Sequence, residues 1–406
     1  MNIAILHYSA PPVVGGVESV LAHHARLMTR DGHSVRLIAA RGEPLGDQIP
    51  FISIPLMDSR HPRALAVKKQ LDHGRVPDDF GALRDELSSQ LQDALSGVEV
   101  MIAHNICSLN KNLALTAALY QLHAGREHPR LILWHHDLAW MTSRYRAELH
   151  DDYPWNLLKT AWPNAAQVTI SEMRQDELAG LMKIGKSRIA VIPNGVDVNA
   201  FFKLEEQTQD YVKRLGLLEA EPLLLLPVRI TPRKNIELAL HVLSKLRGKY
   251  ENAQLVVTGP LGPHNPANVT YFDKLTALRR QLGLLKSAHF LAELTSEYIP
   301  DAVIADFYRL ADILFLPSFE EGFGIPILEA GLASLPIFCS DIPPLRKLGG
   351  SRAMYFPPDE DPEKVCSLIV ENIAGNSVVG MKAYVRSTYT WDRIYAALIA
   401  PMLIAG

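Results

Sequence analysis

The sequence predicts an α/β protein built as two doubly wound domains, with a cleft between their facing strand ends. Three observations predict it. The chain opens as strand, loop, helix and strand, an order that requires a parallel sheet with its ligand side at the strand ends. The same alternation then runs on, without detectable sequence repeats, to the turn Pro193-Asn194-Gly195 and the charged stretch LEEQTQDYVKR. A second series of the same kind begins at Pro222. With 406 residues there is room for two cores. The boundary belongs near Asn199 to Glu206, which gives domains of residues 1–200 and 201–385.

In chain order, Asn2 to His7 is a short apolar strand, and Val17 to Arg30 has apolar residues at helical spacing. Ser34 to Ala40 is a second strand after the Asp31-Gly32 turn. There follow a helix near Phe80 to Leu95, strand Val98 to His104, helix Leu109 to His123, strand Arg130 to His135 and a helix near Asn156 to Trp162. Strand Gln167 to Ile170, helix Glu172 to Met182 and strand Arg188 to Pro193 close the first series. The second has strand Pro222 to Val228, helix Ile236 to Tyr250, strand Ala253 to Thr258, helix Val269 to Gln281, strand Ala288 to Leu291, helix Ala302 to Leu310 and strand Ile313 to Leu316. Strands Leu335 to Cys339 and Ala353 to Phe356 and two or three helices complete it.

A 48% hydrophobic and 21% charged composition is that of a soluble globular protein, and a net charge of −3 leaves no electrostatic footprint for nucleic acid. Cys107, Cys339 and Cys366 are sparse and lack metal-ligand spacing, which suggests a reducing compartment. The N-terminus goes straight into a strand, and the longest apolar run, YAALIAPMLIA, contains Pro401. A cytoplasmic location is expected, with contact at the inner membrane surface left open. The basic segment Arg60 to Arg75 reads first as a solvated helix face, and otherwise as a patch for a phosphate or a membrane.

The densest chemistry lies in SFEEGFGIPILEAG, Ser318 to Gly331, between a strand and a helix start. Gly322 and Gly324 carry no side chain to block a ligand, and a helix N-terminus favours negative charge. Glu321 and Glu329 would repel a phosphate, so they read as acceptors for sugar or ribose hydroxyls; a first-turn acid and a solvated helix residue are the bland alternatives. RITPRKN, after strand Leu223 to Val228, places Arg229 at a strand end and Lys234 at the next helix start, two cations suited to a diphosphate. His135-His136-Asp137 falls at a strand end, whereas His7 and His104 read as structural. Gly15-Gly16 opens the first helix. Asp359-Glu360-Asp361 reads as helix N-terminus acids, not a metal site.

As a set these pieces resemble the retaining glycosyltransferases of family 4, which have two Rossmann-like domains, the GT-B architecture, and use nucleotide-sugar donors. The matching residues are Gly15-Gly16-Val17-Glu18, His136-Asp137, IPNGVD from Ile192, Arg229 with Lys234, Thr258-Gly259 and PSFEEGFGIPILEAG. They occur in the family's order across nearly the whole chain. The resemblance implies that Glu329 holds the donor ribose, that Arg229 and Lys234 hold the diphosphate, and that Glu321 faces the donor sugar. Gly322, Phe323, Gly324 and Ile325 would line the donor, His136 would touch its sugar, and Gly16 would lie near the phosphates. Glu321, His136, Arg229 and Lys234 would carry catalysis. The last helix, about 386–406, would pack back onto the first domain.

The implied activity is retaining transfer of a hexosyl group from a nucleotide-diphosphate sugar to an acceptor hydroxyl, without cofactor or metal. The acceptor would be a saccharide, a sugar phosphate or a lipid-linked acceptor. A nucleotide-sugar epimerase of the same fold and a degenerate sugar-nucleotide binding protein are the alternatives. Three positions depart from the family pattern: Pro227 where glycine is common, Asn235 in place of a glycine after Lys234, and Lys347 where glutamate is usual.

Overall fold

The computed structural model describes residues 1–125, 129–261 and 266–404. They form two compact units, one of residues 1–195 with 391 onward, the other of residues 196–390. Among the described residues no helix is long and apolar enough to cross a membrane.

The first unit is organised on seven strands: β1 Asn2–Leu6, β2 Ser34–Ala39, β3 Phe51–Ser53, β4 Val100–His104, β5 Arg130–His135, β6 Ala166–Thr169 and β7 Ile189–Val191. They pair in parallel in the order β3-β2-β1-β4-β5-β6-β7. Apolar runs such as Ile3 to Leu6 are wholly buried because helices cover both faces of such a sheet. Those helices are α1 Gly16–Arg30, α2 Pro62–Leu71, α3 Asp79–Ala94, α4 Leu113–His123 and α5 Glu172–Met182. The sequence order reverses between β1 and β4. At such a switch point the two following loops diverge and leave a crevice beyond the strand ends.

The second unit repeats the plan with β8 Leu223–Leu226, β9 Gln254–Val257, β10 Ala288–Phe290, β11 Ile313–Leu316, β12 Ile337–Ser340 and β13 Met354–Phe356. Their parallel order is β10-β9-β8-β11-β12-β13, so the switch point falls between β8 and β11. The connecting helices are α6 Val198–Phe202, α7 Glu206–Leu215, α8 Ile236–Leu246, α9 Pro266–Gln281, α10 Asp301–Leu310, α11 Ile325–Leu332, α12 Pro343–Gly349, α13 Pro362–Ala374 and α14 Ser377–Thr388. Gly259 follows β9 where a Cβ would lie 1.9 Å from the Val228 carbonyl oxygen. Only glycine lets the loops after β8 and β9 run this close, and Ile230 pairs there with Leu261. Of the proline-rich loop from Gly259, residues 262–265 lie outside the described residues.

Several sequence expectations are corrected. The edge strand β3 was not expected, being three residues long and partly exposed. Asn156 to Trp162 forms no α-helix but a single 3-10 turn, Trp155–Leu158, before Pro163. The helix expected from Leu109 starts at Leu113, because the Asn112 side chain accepts from the Leu115 amide and caps it there. The last helix, expected at about 386–406, begins at Trp391 and runs through Pro401. A π-helical turn at Tyr395–Ile399 stands directly before the segment Ala400–Ile404, where proline has no N–H to give. This C-terminal stretch buries Trp391, Ile394, Tyr395, Ile399 and Leu403 in the first unit's core. The division between units falls at 195/196, a few residues before the expected boundary, and the chain returns at 390/391.

The basic segment is a helix face. In α2, Ala64, Val67 and Leu71 are buried, Arg63 pairs with Asp79 and Glu86, and Lys68 pairs with Asp72 and Glu148.

A buried ion pair anchors α14 beneath the second sheet. Arg386 and Asp312 meet at 2.7 Å with 3% and 0% of their side chains exposed. Arg386 also donates to the carbonyls of Leu310 and Ala220, and Asp312 accepts the Leu223 amide. Arg386→Ala would leave a carboxylate buried without its cation, so we expect a loss of about 3–5 kcal/mol in chemical denaturation. Arg214→Ala, which breaks an exposed pair with Asp210, is expected to cost less than about 1 kcal/mol.

Candidate active site

Both crevices collect the residues singled out in the sequence, and each unit holds its own group. In the second unit the loops after β8 and β11 face each other across the switch point. Lys234 ends a one-turn 3-10 segment, Pro232–Lys234, directly ahead of α8. Its Nζ lies 2.6 Å from Oε1 of Glu321, and only 9% and 8% of the two side chains are exposed. Ser318, wholly buried, donates its hydroxyl to the same Oε1 at 2.8 Å. The backbone joins the loops as well, since the Phe319 amide donates to the Arg233 carbonyl at 2.9 Å. Glu321 and Lys234, expected on the sugar and the diphosphate respectively, therefore pair with each other.

Arg229 is exposed and forms no ion pair among the described residues, so its charge is available to a ligand. The departure at Asn235 has a local explanation. Its backbone is left-handed, φ 51°, a conformation for which asparagine is the usual substitute for glycine, and its side-chain amide donates to the Pro358 carbonyl. Lys347 is exposed on α12.

Gly324 caps α11 at φ 102°, and a Cβ there would lie 2.6 Å from Leu345. Glycine is thus required both by the turn and by α12 packing behind it. Gly322 is exposed with open space around it, and Phe323 and Ile325 are exposed at 57% and 58%. These large apolar side chains stand in solvent at the mouth of the turn. One turn into α11, Oε2 of Glu329 accepts the Tyr308 hydroxyl at 2.6 Å. Burial and the adjacent carboxylate push the Tyr308 ionisation well up, so it stays a donor. A pocket of about 440 Å³ opens beside Glu329, lined also by Ile304, Arg309 and Leu332.

In the first unit, Gly16 is exposed at the start of α1 with open space where a Cβ would stand, and Glu18 accepts the Ser9 hydroxyl at 2.6 Å. His136 follows β5 and is buried. Asn105, left-handed at φ 57° after β4, accepts the amides of His136 and Asp137 on its Oδ1 at 2.8 and 3.1 Å. Nε2 of His136 lies 3.0 Å from Nδ1 of His104, whose carbonyl oxygen accepts Nδ1–H of His7 at 2.8 Å. Burial, with help from His7 and His135, lowers the His136 pKa to about 3. Burial likewise holds His104 well below its ordinary value, His24 at about 3 and His135 at about 4. The cluster is therefore neutral at ordinary pH. Among the described residues no group of His, Cys, Asp or Glu is placed to hold a metal ion.

Sequence reasoning missed Ser318, Tyr308 and Asn105 as supports of Glu321, Glu329 and His136. Ser318 lies inside the motif. Tyr308 sits on α10 and Asn105 after β4, and no local pattern ties either to its distant partner.

Two family models match the chain, "Glycosyltransferase Family 4" over residues 14–200 and "Glycosyl transferases group 1" over residues 207–364. A mannosylglucosylglycerate synthase of Petrotoga mobilis is 24% identical over 369 residues, 86% of this chain and 84% of its own. The synthase of the same name from Thermotoga maritima is 24% identical over 378 residues, 85% and 83% of the two chains. Among solved structures, sucrose-phosphate synthase from Thermosynechococcus elongatus aligns over 100% of both chains at 17% identity and a TM-score of 0.39.

The buried histidines make stability depend on pH. Unfolded, they protonate near 6.5; folded, they resist to about 3 or 4. Below pH 6.5 the unfolded chain therefore binds more protons, and stability falls as pH falls, while above it these groups contribute no slope. His24 is wholly buried against Trp134 and neither ring nitrogen has a hydrogen-bond partner. We expect His24→Leu to cut the slope of unfolding free energy by about 1.4 kcal/mol per pH unit between roughly pH 5 and 6. An unchanged slope in denaturant titrations would refute this assignment.

Proposed function

This chain belongs to the family 4 glycosyltransferases, and we propose that it moves a hexosyl group from a nucleotide-diphosphate sugar to an acceptor hydroxyl with retention of configuration and without a metal. The observation that carries the reading is the meeting of Lys234 and Glu321 at the β8/β11 switch point, with Arg229 exposed on the same loop. That is where a doubly wound sheet binds ligands, and the two cations suit a diphosphate. The names of the two relatives, mannosylglucosylglycerate synthases, suit hexosyl transfer.

In this reading Lys234 and Arg229 take the diphosphate, and Glu321 turns from Lys234 toward the donor sugar. The sugar also meets the backbone of Phe323 and Gly324 and the side of Ile325, while Gly322 leaves room for it. Glu329, already given one hydroxyl by Tyr308, takes the ribose on its other oxygen. In the first unit His136 touches the sugar and Gly16 lies near the phosphates.

The bond from the anomeric carbon to the phosphate oxygen breaks as the acceptor oxygen attacks from the same face. The acceptor's proton passes to the departing phosphate oxygen, and the nucleoside diphosphate leaves. Arg229 and Lys234 stabilise the charge that develops there, the work a metal would otherwise do. We place the reaction in the cytoplasm because Cys107, Cys339 and Cys366 are free buried thiols, as in a reducing compartment. The carboxylates holding Arg63 and Lys68 favour a plain helix face there over membrane contact.

A panel of nucleotide-sugars with and without saccharide, sugar-phosphate or lipid-linked acceptors tests this. Free nucleoside diphosphate is expected only when acceptor is present, with a chelator making no difference. The product anomer, read by proton NMR, should match the donor. Lys234→Ala should lower kcat by about 10²-fold or more. Conversion of the donor sugar without acceptor would point to an epimerase instead. Full turnover by Lys234→Ala would sink the diphosphate site.

A further inference from the structure

His136 and His104 lie ring to ring, Nε2 of one 3.0 Å from Nδ1 of the other. Both are neutral, so a single proton sits between them, and two arrangements are open. If His136 donates, its own Nδ1 is bare, and His104 must carry its proton on Nε2. That atom is fully buried and has no hydrogen-bond partner, so a polar N–H would be orphaned beside the Trp134 ring. If His104 donates instead, its buried Nε2 keeps only a lone pair. Orphaned buried N–H groups are the rarer of the two in folded proteins.

The surroundings hold the pair in place. His104 is wholly buried, stacked on Trp134 at 5.3 Å with His24 at 5.4 Å, and its carbonyl is taken by Nδ1–H of His7. The backbone of His136 is pinned by Asn105. Nδ1 of His136 has no hydrogen bond among the described residues.

We infer that His104 is a positioning residue: by donating Nδ1–H to Nε2 of His136 it keeps the His136 proton on Nδ1, so that His136 offers the substrate a hydrogen-bond donor and not a base. This deepens the transferase reading and rests on it for the identity of the substrate. A donor there grips a sugar oxygen and cannot take the acceptor's proton, which leaves the departing phosphate as the base.

The tautomer can be read without turnover. In the full chain labelled with ¹⁵N-histidine, two-bond ¹⁵N–¹H correlation at neutral pH should show His136, assigned by its loss in His136→Asn, protonated on Nδ1. His104→Asn, whose amide nitrogen stands where Nδ1 does, keeps an N–H donor and should preserve both that signature and kcat. His104→Leu removes it and should give mixed tautomers with kcat down about tenfold and the donor KM little changed. Protonation on Nε2 in the unaltered protein would overturn the inference. So would His104→Leu with the signature and kcat unchanged. Nδ1 protonation combined with full turnover by His136→Asn would uphold the tautomer but overturn the placement of His136 at the substrate.

Discussion

The ion pair of Lys234 and Glu321 is the constraint around which the second unit's site is arranged. Two loops that leave adjacent strands at a switch point should diverge, and here they are drawn together by one contact of 2.6 Å and by the Phe319 and Glu320 amides, both donating to the Arg233 carbonyl. Burying two charges costs several kcal/mol before their attraction is counted, and well-packed apolar residues would serve stability at least as well. A pair so placed is therefore poor evidence of stabilisation. In the proposed reading both residues are ligand-binding groups, and their pairing is what a diphosphate has to displace. On that reading a diphosphate is the stronger partner for Lys234 and frees the carboxylate for hydroxyls, while Ser318 keeps its bond to one oxygen.

The first unit solves the opposite problem. The imidazoles at the ends of β4 and β5 are kept neutral by burial, so what matters there is the direction of each hydrogen bond rather than charge. Asn105 shows how the fold supplies that direction. The chain turns left-handed immediately after β4, which lets one side-chain oxygen take two successive amides at the end of β5. Neighbouring strands thus fix His136 through backbone and ring at once, and the C-terminal return of Trp391 over His23 and His24 seals the layer behind.

Much of this was legible in the sequence where periodicity is strong. β5 and β11 stand at the residues expected because each holds an apolar run buried in its sheet, and α1 and α10 begin within one residue of expectation because their apolar stripes are clear. What failed was local: β3 is too short to show a period, Trp155 to Leu158 has helical composition but meets Pro163, and the α4 start depends on the Asn112 side chain. The glycines and carboxylates of SFEEGFG were readable as a ligand turn since the strand and helix around them were. Their partners were not. That Glu321 meets Lys234, or Glu329 meets Tyr308, follows from which strands adjoin in the sheet, and strand order is not written in any local pattern. Asn235 is instructive in the other direction: an apparent departure from a glycine position proved to be the other residue type that tolerates the same backbone.

Competition between the Glu321 carboxylate and a diphosphate for Lys234 can be measured directly. Calorimetric titration with nucleoside diphosphates, compared between the unaltered protein and Glu321→Gln, isolates the competition. If the carboxylate occupies the cation that the diphosphate needs, the variant should bind the nucleoside diphosphate more tightly, by about three- to tenfold. It should gain nothing for the complete nucleotide-sugar, whose sugar hydroxyls lose the carboxylate. Equal or weaker binding of the nucleoside diphosphate by Glu321→Gln would contradict the account.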